Sequence, residues 1–465
     1  MSHLQGPGTD QPLDDALARR LDPSSDSSPS LDDSAPLPSG SARPPDDPTD
    51  QTTVNDSQDK PNWLRSISLL LTGQTLSLFG SGVVGYAVIW YITLQTGSGW
   101  QYAVMFIAAN LAMAITTVPG GVWADRYWRK ALMIGSDAFV AVFTLILALV
   151  ILAGYQQLWL IIVVLCLRGF ATGVQSPALM ATIPQLVPTT KLLRVNSINS
   201  ALQALIFVAA PALAAVLLVT LPLGVILLID VTTALIGIGC TIAVKIPRLT
   251  SAAIIPGGFK GYLSHMGEAA KYVWAILPLR RAGFLMVMML VFVIPPAQMA
   301  PVIVVRLFGS EQWKLAIAEI LWSVGMVLGG VILAVWGGLK NRMTLIMITS
   351  AIWGVLTIGL GLSGSIWFFS IVMLLYGMSL PGFQTAAMTS VQELVPERLL
   401  GRTMGFINLI GYAAIPLGMA MMGPLADIIN IRALTIGCGV LGLVIIGITS
   451  FDRGPASKLY APTRD

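Results

Sequence analysis

Beyond residue 62 the chain alternates between long apolar runs and short breaks of Gly, Pro, Gln or charge, and twelve such runs lie before residue 450. A bilayer core takes about 20 consecutive apolar residues per helical crossing, and each run meets that need. Lipid offers the backbone no hydrogen-bonding water, so runs of this length close into helices. The pattern predicts an all-α membrane protein with twelve transmembrane helices.

The breaks carry the orientation. With the first run entering from the cytoplasm, the inner connections and the C-terminal tail hold 18 Lys and Arg, from Arg126 to Arg464. The outer connections hold 3, namely Arg306, Lys314 and Arg432. Positive charge favours the cytoplasmic face, so both termini are expected in the cytoplasm.

Composition narrows the function classes. Hydrophobic residues make up 55% of the chain and charged ones 11%. Cys166, Cys240 and Cys438 each sit within an apolar run and match neither a disulfide framework nor a metal-ligand spacing. No metal, no cofactor and no catalytic residue is expected. His3 and His265 are the only histidines, and no Walker loop or nucleophile–base pair is present. Residues 1–62 are different in kind: the first 60 hold 12 Asp, many Pro and Ser, and no aromatic residue. Such a segment cannot bury enough apolar surface to fold and reads as a disordered acidic cytoplasmic tail. Residues 61–465 hold 23 Lys and Arg against 11 Asp and Glu, and this excess belongs to the inner membrane face and does not point to nucleic acid.

A repeat divides the spans six and six. At an offset of 208, Gly169 matches Gly377, Ala178 matches Ala386, and Met180 matches Met388. Leu-Val-Pro at 186–188 matches the tripeptide at 394–396, and Arg194 matches Arg402. Duplication within a membrane bundle is a mark of transporters. The expected domains are two six-helix bundles, 63–246 and 282–450. A cytoplasmic linker at 247–281 joins them, and a C-terminal tail follows at 451–465. Tyr262, Met266, Ala269, Ala270, Val273, Trp274 and Leu277 fall at helical spacing, so the linker is expected to carry an amphipathic helix.

The connection after the second run reads Gly121-Val122-Trp123-Ala124-Asp125-Arg126-Tyr127-Trp128-Arg129-Lys130. Gly121 is expected to let a neighbouring helix approach closely. Asp125 stands at a helix end, where a carboxylate meets a helix dipole or a basic side chain in one state and separates in another. Arg126, Arg129 and Lys130 hold the loop at the cytoplasmic face, and Asp137 is expected to pair with that cluster. The stretch resembles the loop signature Gly-x-x-x-Asp-Arg-x-x-Arg-Lys of the major facilitator superfamily. The second-half copy, Gly337-Gly338-Leu339-Lys340-Asn341-Arg342, lacks the Asp. The first run, Ser176-Pro177-Ala178 and Ile229-Asp230 look like the branch of macrolide-efflux and enterobactin-export proteins.

The resemblance implies a secondary active transporter working by alternating access. Proton-coupled efflux of an apolar or amphipathic compound is the leading expectation: a drug, or a macrolide-like or siderophore-like molecule. An importer or lysolipid flippase of the same fold is the nearest alternative. A membrane enzyme or receptor is the alternative of another class. A small molecule, protons and the lipid bilayer are the expected partners of a monomer.

Asp137, Arg168, Asp230 and Glu319 lie inside spans. A charge at mid-membrane costs about 2.5–3.5 kcal/mol on insertion scales, so each needs a partner or a wet cavity. In the family, spans 1, 2, 4, 5, 7, 8, 10 and 11 line the cavity, which implies that Arg168 and Glu319 face it. Glu319, Arg168 and Asp230 are the proton-coupling candidates. Gln74, Trp90, Phe292, Gln298, Trp322, Tyr376, Asn408 and Tyr412 are the candidates for the substrate cavity.

Overall fold

The computed structural model describes residues 62–247, 267, 270–339 and 341–451. Every regular element among them is helical. The first half holds α1 (Trp63–Thr96), α2 (Gly99–Arg126), α3 (Arg129–Leu152), α4 (Leu158–Leu186), α5 (Leu192–Thr220) and α6 (Leu223–Ala243). In the second half α7 is assembled from Leu277–Met288, a π-helical turn Met289–Val293, Ile294–Gln298 and Ala300–Phe308. It is followed by α8 (Gln312–Trp336), α9 (Arg342–Leu362), α10 (Ile366–Leu394), α11 (Glu397–Ile428) and α12 (Ile431–Phe451).

Eleven of these helices are long and apolar enough to cross a membrane. The twelfth, α11, is 32 residues long, but its apolar part is the shorter Ala413–Ile428. Large side chains such as Ile115, Leu149, Val331, Ile352, Leu417 and Ile448 are exposed around the bundle. In water this would be a liability; on a membrane helix it is the lipid-facing belt. The first turn between spans needs a left-handed residue, and Gly97 supplies it at φ 59° while its N–H caps Thr93 O.

The packing repeats as the sequence does. α2 packs on α4, α3 on α4 and α6, and α1 on α5 and α6. Six helices later, α8 packs on α10, α9 on α10 and α12, and α7 on α11 and α12. The repeat-matched glycines explain the tightest crossings. A Cβ at Gly169 would strike the Ala109 carbonyl on α2, and one at Gly377 would strike the Trp322 carbonyl on α8. The halves meet where α2 packs on α11 and α5 packs on α8.

Two expectations need correction. Nothing lies within 4 Å of a Cβ placed on Gly121. The close-packing residue is its neighbour Gly120, where a Cβ would fall 2.6 Å from Gly173 O on α4. The predicted linker helix falls mostly outside the described residues. Residues 270–275 are helical, with Val273 buried and Trp274 exposed, so the two do not share the packed face. The acidic segment 1–61 and the C-terminal 452–465 also lie outside the described residues.

Candidate functional site

α7 is the least regular helix, and it borders a cavity of about 380 Å³. Pro295 and Pro296 bring no N–H to the helix ladder, and the π turn just before them shifts its register. Leu290, Ile294, Ala297 and Gln298 are thereby turned to the cavity. Tyr86 and Trp90 from α1, Tyr102 from α2 and Phe207 from α5 close it from the first half. Trp322 on α8, Trp353 on α9, Tyr376, Phe383 and Gln384 on α10, and Ile407, Gly411 and Ile415 on α11 add to the wall.

The wall is aromatic and ordered. Trp353 stacks parallel on Tyr376 with centroids 5.9 Å apart, and Phe383 leans on the same indole at 4.5 Å. Tyr86 and Trp90 lie 5.3 Å apart, and Phe207 meets Trp322 edge-on across the two halves. Hydroxyls are tied back to backbone carbonyls: Tyr102 donates to Gln298 O, and Tyr376 donates to Val293 O at 3.3 Å. Trp353 Nε1 donates to Ser379 Oγ at 2.7 Å. Aromatic faces with tethered polar tips bind apolar and amphipathic molecules without demanding one shape.

Glu319, on α8, is the single charged residue of this wall among the described residues, and it is 7% exposed. It has no hydrogen-bond or ion-pair partner among the described residues.

The other three intramembrane charges lie elsewhere. Arg168 does not line the cavity. Its guanidinium donates to the Asp230 carboxylate and Thr144 Oγ1, and to Ser81 O at 3.0 Å. Ser81 and Thr144 also donate to Asp230, which is fully buried. The expected cavity role of Arg168 fails for a geometric reason: α4 turns this residue toward α3 and α6, where Asp230 neutralises it. Asp137 does not reach the Arg126–Lys130 cluster. It accepts from Gln74 Nε2 at 2.9 Å, Ser77 Oγ at 2.6 Å and Gln175 Nε2 at 2.8 Å. Gln74 is spent in that network and does not line the cavity; Phe292 is also not part of the wall. Trp90, Gln298, Trp322 and Tyr376 do line the cavity. The side chains of Asn408 and Tyr412 lie outside the described residues.

The ends of the bundle differ. At the end carrying residues 97–99, Asp427 on α11 accepts from Gly99 N at 2.7 Å, Trp100 N at 3.0 Å and Ser98 Oγ at 3.1 Å. The carboxylate thus caps the N-terminus of α2, where the helix dipole favours negative charge. Arg306 pairs with Asp427 and donates to Ala426 O and to Gly97 O, the last at 2.8 Å. At the opposite end, Asp125 meets Arg129 of its own segment at 3.5 Å. Arg129 also donates to Ala124 O and Ala181 O, and Lys130 Nζ donates to Ile242 O and Val244 O. Arg126 is exposed. The loop motif therefore ties α2, α3, α4 and α6 together within the first half.

Sequence reasoning missed Asp427 and Arg306, and with them Tyr86, Tyr102, Phe207 and Gln384. Arg306 was the visible signal, as one of three basic residues on the otherwise neutral side.

Comparison with known proteins agrees with this architecture. The family model of the Major Facilitator Superfamily matches residues 70–419. Macrolide efflux protein A of Streptococcus pyogenes is 29% identical over 80% of this chain and 92% of its own. Enterobactin exporter EntS of Shigella boydii is 26% identical over 84% of this chain and 94% of its own. The crystal structure of nucleoside transporter NupG shares the fold at a TM-score of 0.60 and 14% identity, covering 83% of this chain and 99% of that one. With the family model spanning most of its length and two pseudo-repeated sets of helices around a central cavity, the chain belongs to the major facilitator superfamily and is a multi-pass membrane transporter.

Proposed function

We propose that the chain is a proton-driven exporter of a neutral or cationic amphipathic compound, working by alternating access across a bacterial cell membrane. The observation that carries this reading is the aromatic cavity with Glu319 as its lone charge among the described residues. Two similar proteins are named as exporters, which supports the outward direction. Among the described residues no basic side chain lines the wall, so an anionic substrate would find no countercharge there. A cation can exchange with a proton on Glu319, and that exchange is the simplest coupling device.

The 18-to-3 bias of Lys and Arg supports placing the 126–130 loop and both termini in the cytoplasm. The Asp427–Arg306 cluster then closes the outer end, which corresponds to an inward-facing state. Residues 63–246 and 282–450 act as the two rocking bundles of a monomer embedded in lipid. In the outward-facing state, Asp125 exchanges its partners and the Asp427 cap releases α2.

The test is dye accumulation and drug susceptibility in a pump-deleted bacterial host, with and without a protonophore. The reading expects lower accumulation of lipophilic cations on expression, abolished by the protonophore. Efflux that persists after the proton gradient has collapsed would refute proton coupling. Uptake in place of efflux would refute the direction. Impermeant thiol labelling of a cysteine at position 98, but not at position 128, checks the orientation.

A further inference from the structure

The first half contains two buried carboxylates, and only one has a countercharge. Asp230 holds Arg168. Asp137 is 2% exposed and is surrounded by neutral groups. Gln74 and Ser77 reach it from α1 and Gln175 from α4. Gln74 also donates to Thr241 Oγ1 on α6, and Gln175 Nε2 donates to Gln74 Oε1 at 2.9 Å. Both amide N–H pairs are thus fully used; α1 and α4 donate to the carboxyl group of α3, and α6 is tied in through Gln74. Arg129 bonds backbone carbonyls and meets Asp125, Lys130 bonds backbone carbonyls, and Arg168 is held by Asp230, so among the described residues no cation reaches Asp137; the nearest charge felt there is the negative one of Asp230.

A carboxylate this deep in a membrane bundle, without a cation, is unstable as a permanent charge. Yet it is set among groups that accommodate either form. The ionised form accepts three bonds from neutral donors. On protonation at Oδ1, the new O–H can donate to Ser77 Oγ, whose own hydrogen then turns to the Gly73 carbonyl one helical turn back. No group has to leave the site for the change to occur. We propose that Asp137, held by Gln74, Ser77 and Gln175, is a second proton-carrying site, separate from the substrate cavity. It rests on the proton-driven reading for its role but not for its detection. Protonation would change how α1 is tied to α3 and α4, and α1 also carries Tyr86 and Trp90 to the cavity wall. The transporter would then move two protons per cycle: one on the cavity carboxylate, exchanged with substrate, and one on Asp137, which sets the packing of α1.

The experiment is infrared titration of the carboxylic acid C=O band in the full-length protein in lipid nanodiscs, without substrate. Wild type should lose two components as pH is raised. Asp137→Asn should remove one and Glu319→Gln the other. Gln175→Leu keeps the carboxyl group but removes one donor to its ionised form. It should carry the Asp137 component to higher pH by about one unit, the worth of a hydrogen bond to a charged group. That variant decides the matter if Asp137→Asn fails to fold. A spectrum unchanged in Asp137→Asn, or unmoved in Gln175→Leu, overturns the proposal. So does a component displaced when Na⁺ replaces choline, which would make the ligand Na⁺. If Glu319→Gln alone leaves the spectrum unchanged, the cavity reading fails and the Asp137 site stands.

Discussion

Arg168 and Tyr376 occupy the same position of the repeat, 208 residues apart, and they do opposite things. Arg168 turns inward among α3, α4 and α6 and is neutralised by Asp230. Tyr376 turns to the cavity, stacks on Trp353 and tethers its hydroxyl to α7. The first half bonds its buried charged groups to neighbouring side chains, and its interior is a wired scaffold. The second half supplies most of the cavity wall and leaves Glu319 without a partner among the described residues. Duplication supplied two equal frames, and the polar residues then made one a support and the other a site.

The comparison breaks first at Arg168. Arg168→Leu strands the Asp230 carboxylate in the bundle, and uncompensated buried charges cost about 3–5 kcal/mol. The expected outcome is a sharp loss of folded protein in size-exclusion and thermal-shift measurements. Arg168→Leu combined with Asp230→Leu should recover much of it, because the stranded charge is gone. A stable single variant would mean that Arg168 is not the scaffold element described here.

The next effect in size lies at the junction of the halves. Asp427→Asn weakens the cap on α2 and its pairing with Arg306. Charge-assisted bonds of this kind are worth about 2 kcal/mol, so the closed outer end should lose roughly thirtyfold in its ratio to the open form. Spin labels near Ser98 and Ile428 should report a longer, broader distance distribution. An unchanged distribution would place the closing force elsewhere, such as the contact of Gly99 with the Gly423 carbonyl.

Asp125→Asn should act in the opposite sense and more weakly. Its only described partner is Arg129, and Asp125 is 39% exposed. Screened pairs of this kind contribute about 0–1 kcal/mol, so folding should be spared. Turnover should fall, because the outward-facing state needs the carboxylate for a new partner. Normal turnover at normal expression would remove the latch role. Smallest is Tyr376→Phe, which loses one hydrogen bond of about 1 kcal/mol and keeps the stack on Trp353. Substrate affinity measured by tryptophan quenching should change only a fewfold. A large stability loss would blur the contrast with Arg168.

Spans and the repeat were legible because bilayer thickness acts on composition alone. Within a span the direction of a side chain was not. Lipid and bundle interior are both apolar, so periodicity barely marks the face that turns inward. Arg168 was expected in the cavity because α4 is a lining helix, yet a residue one or two places along a helix points to a different neighbour. Asp230 on α6 was the partner that would have redirected it. Gln74 misled in the same way. Glu319, Trp322 and Gln298 were legible since a lone acid and clustered aromatics have few uses in lipid. Phe292 was misplaced because the π turn at Met289–Val293 changes the helical register. The Pro295-Pro296 pair was its visible warning.

The central claim is that the cavity carboxylate Glu319 couples substrate to protons. It is tested most directly with Glu319→Gln in reconstituted vesicles under an imposed pH gradient. The account predicts that this variant still binds a lipophilic cation and still exchanges it downhill, although affinity weakens. Its gradient-driven accumulation should fall to the level of empty vesicles. Uphill transport at the wild-type rate in Glu319→Gln would contradict the account.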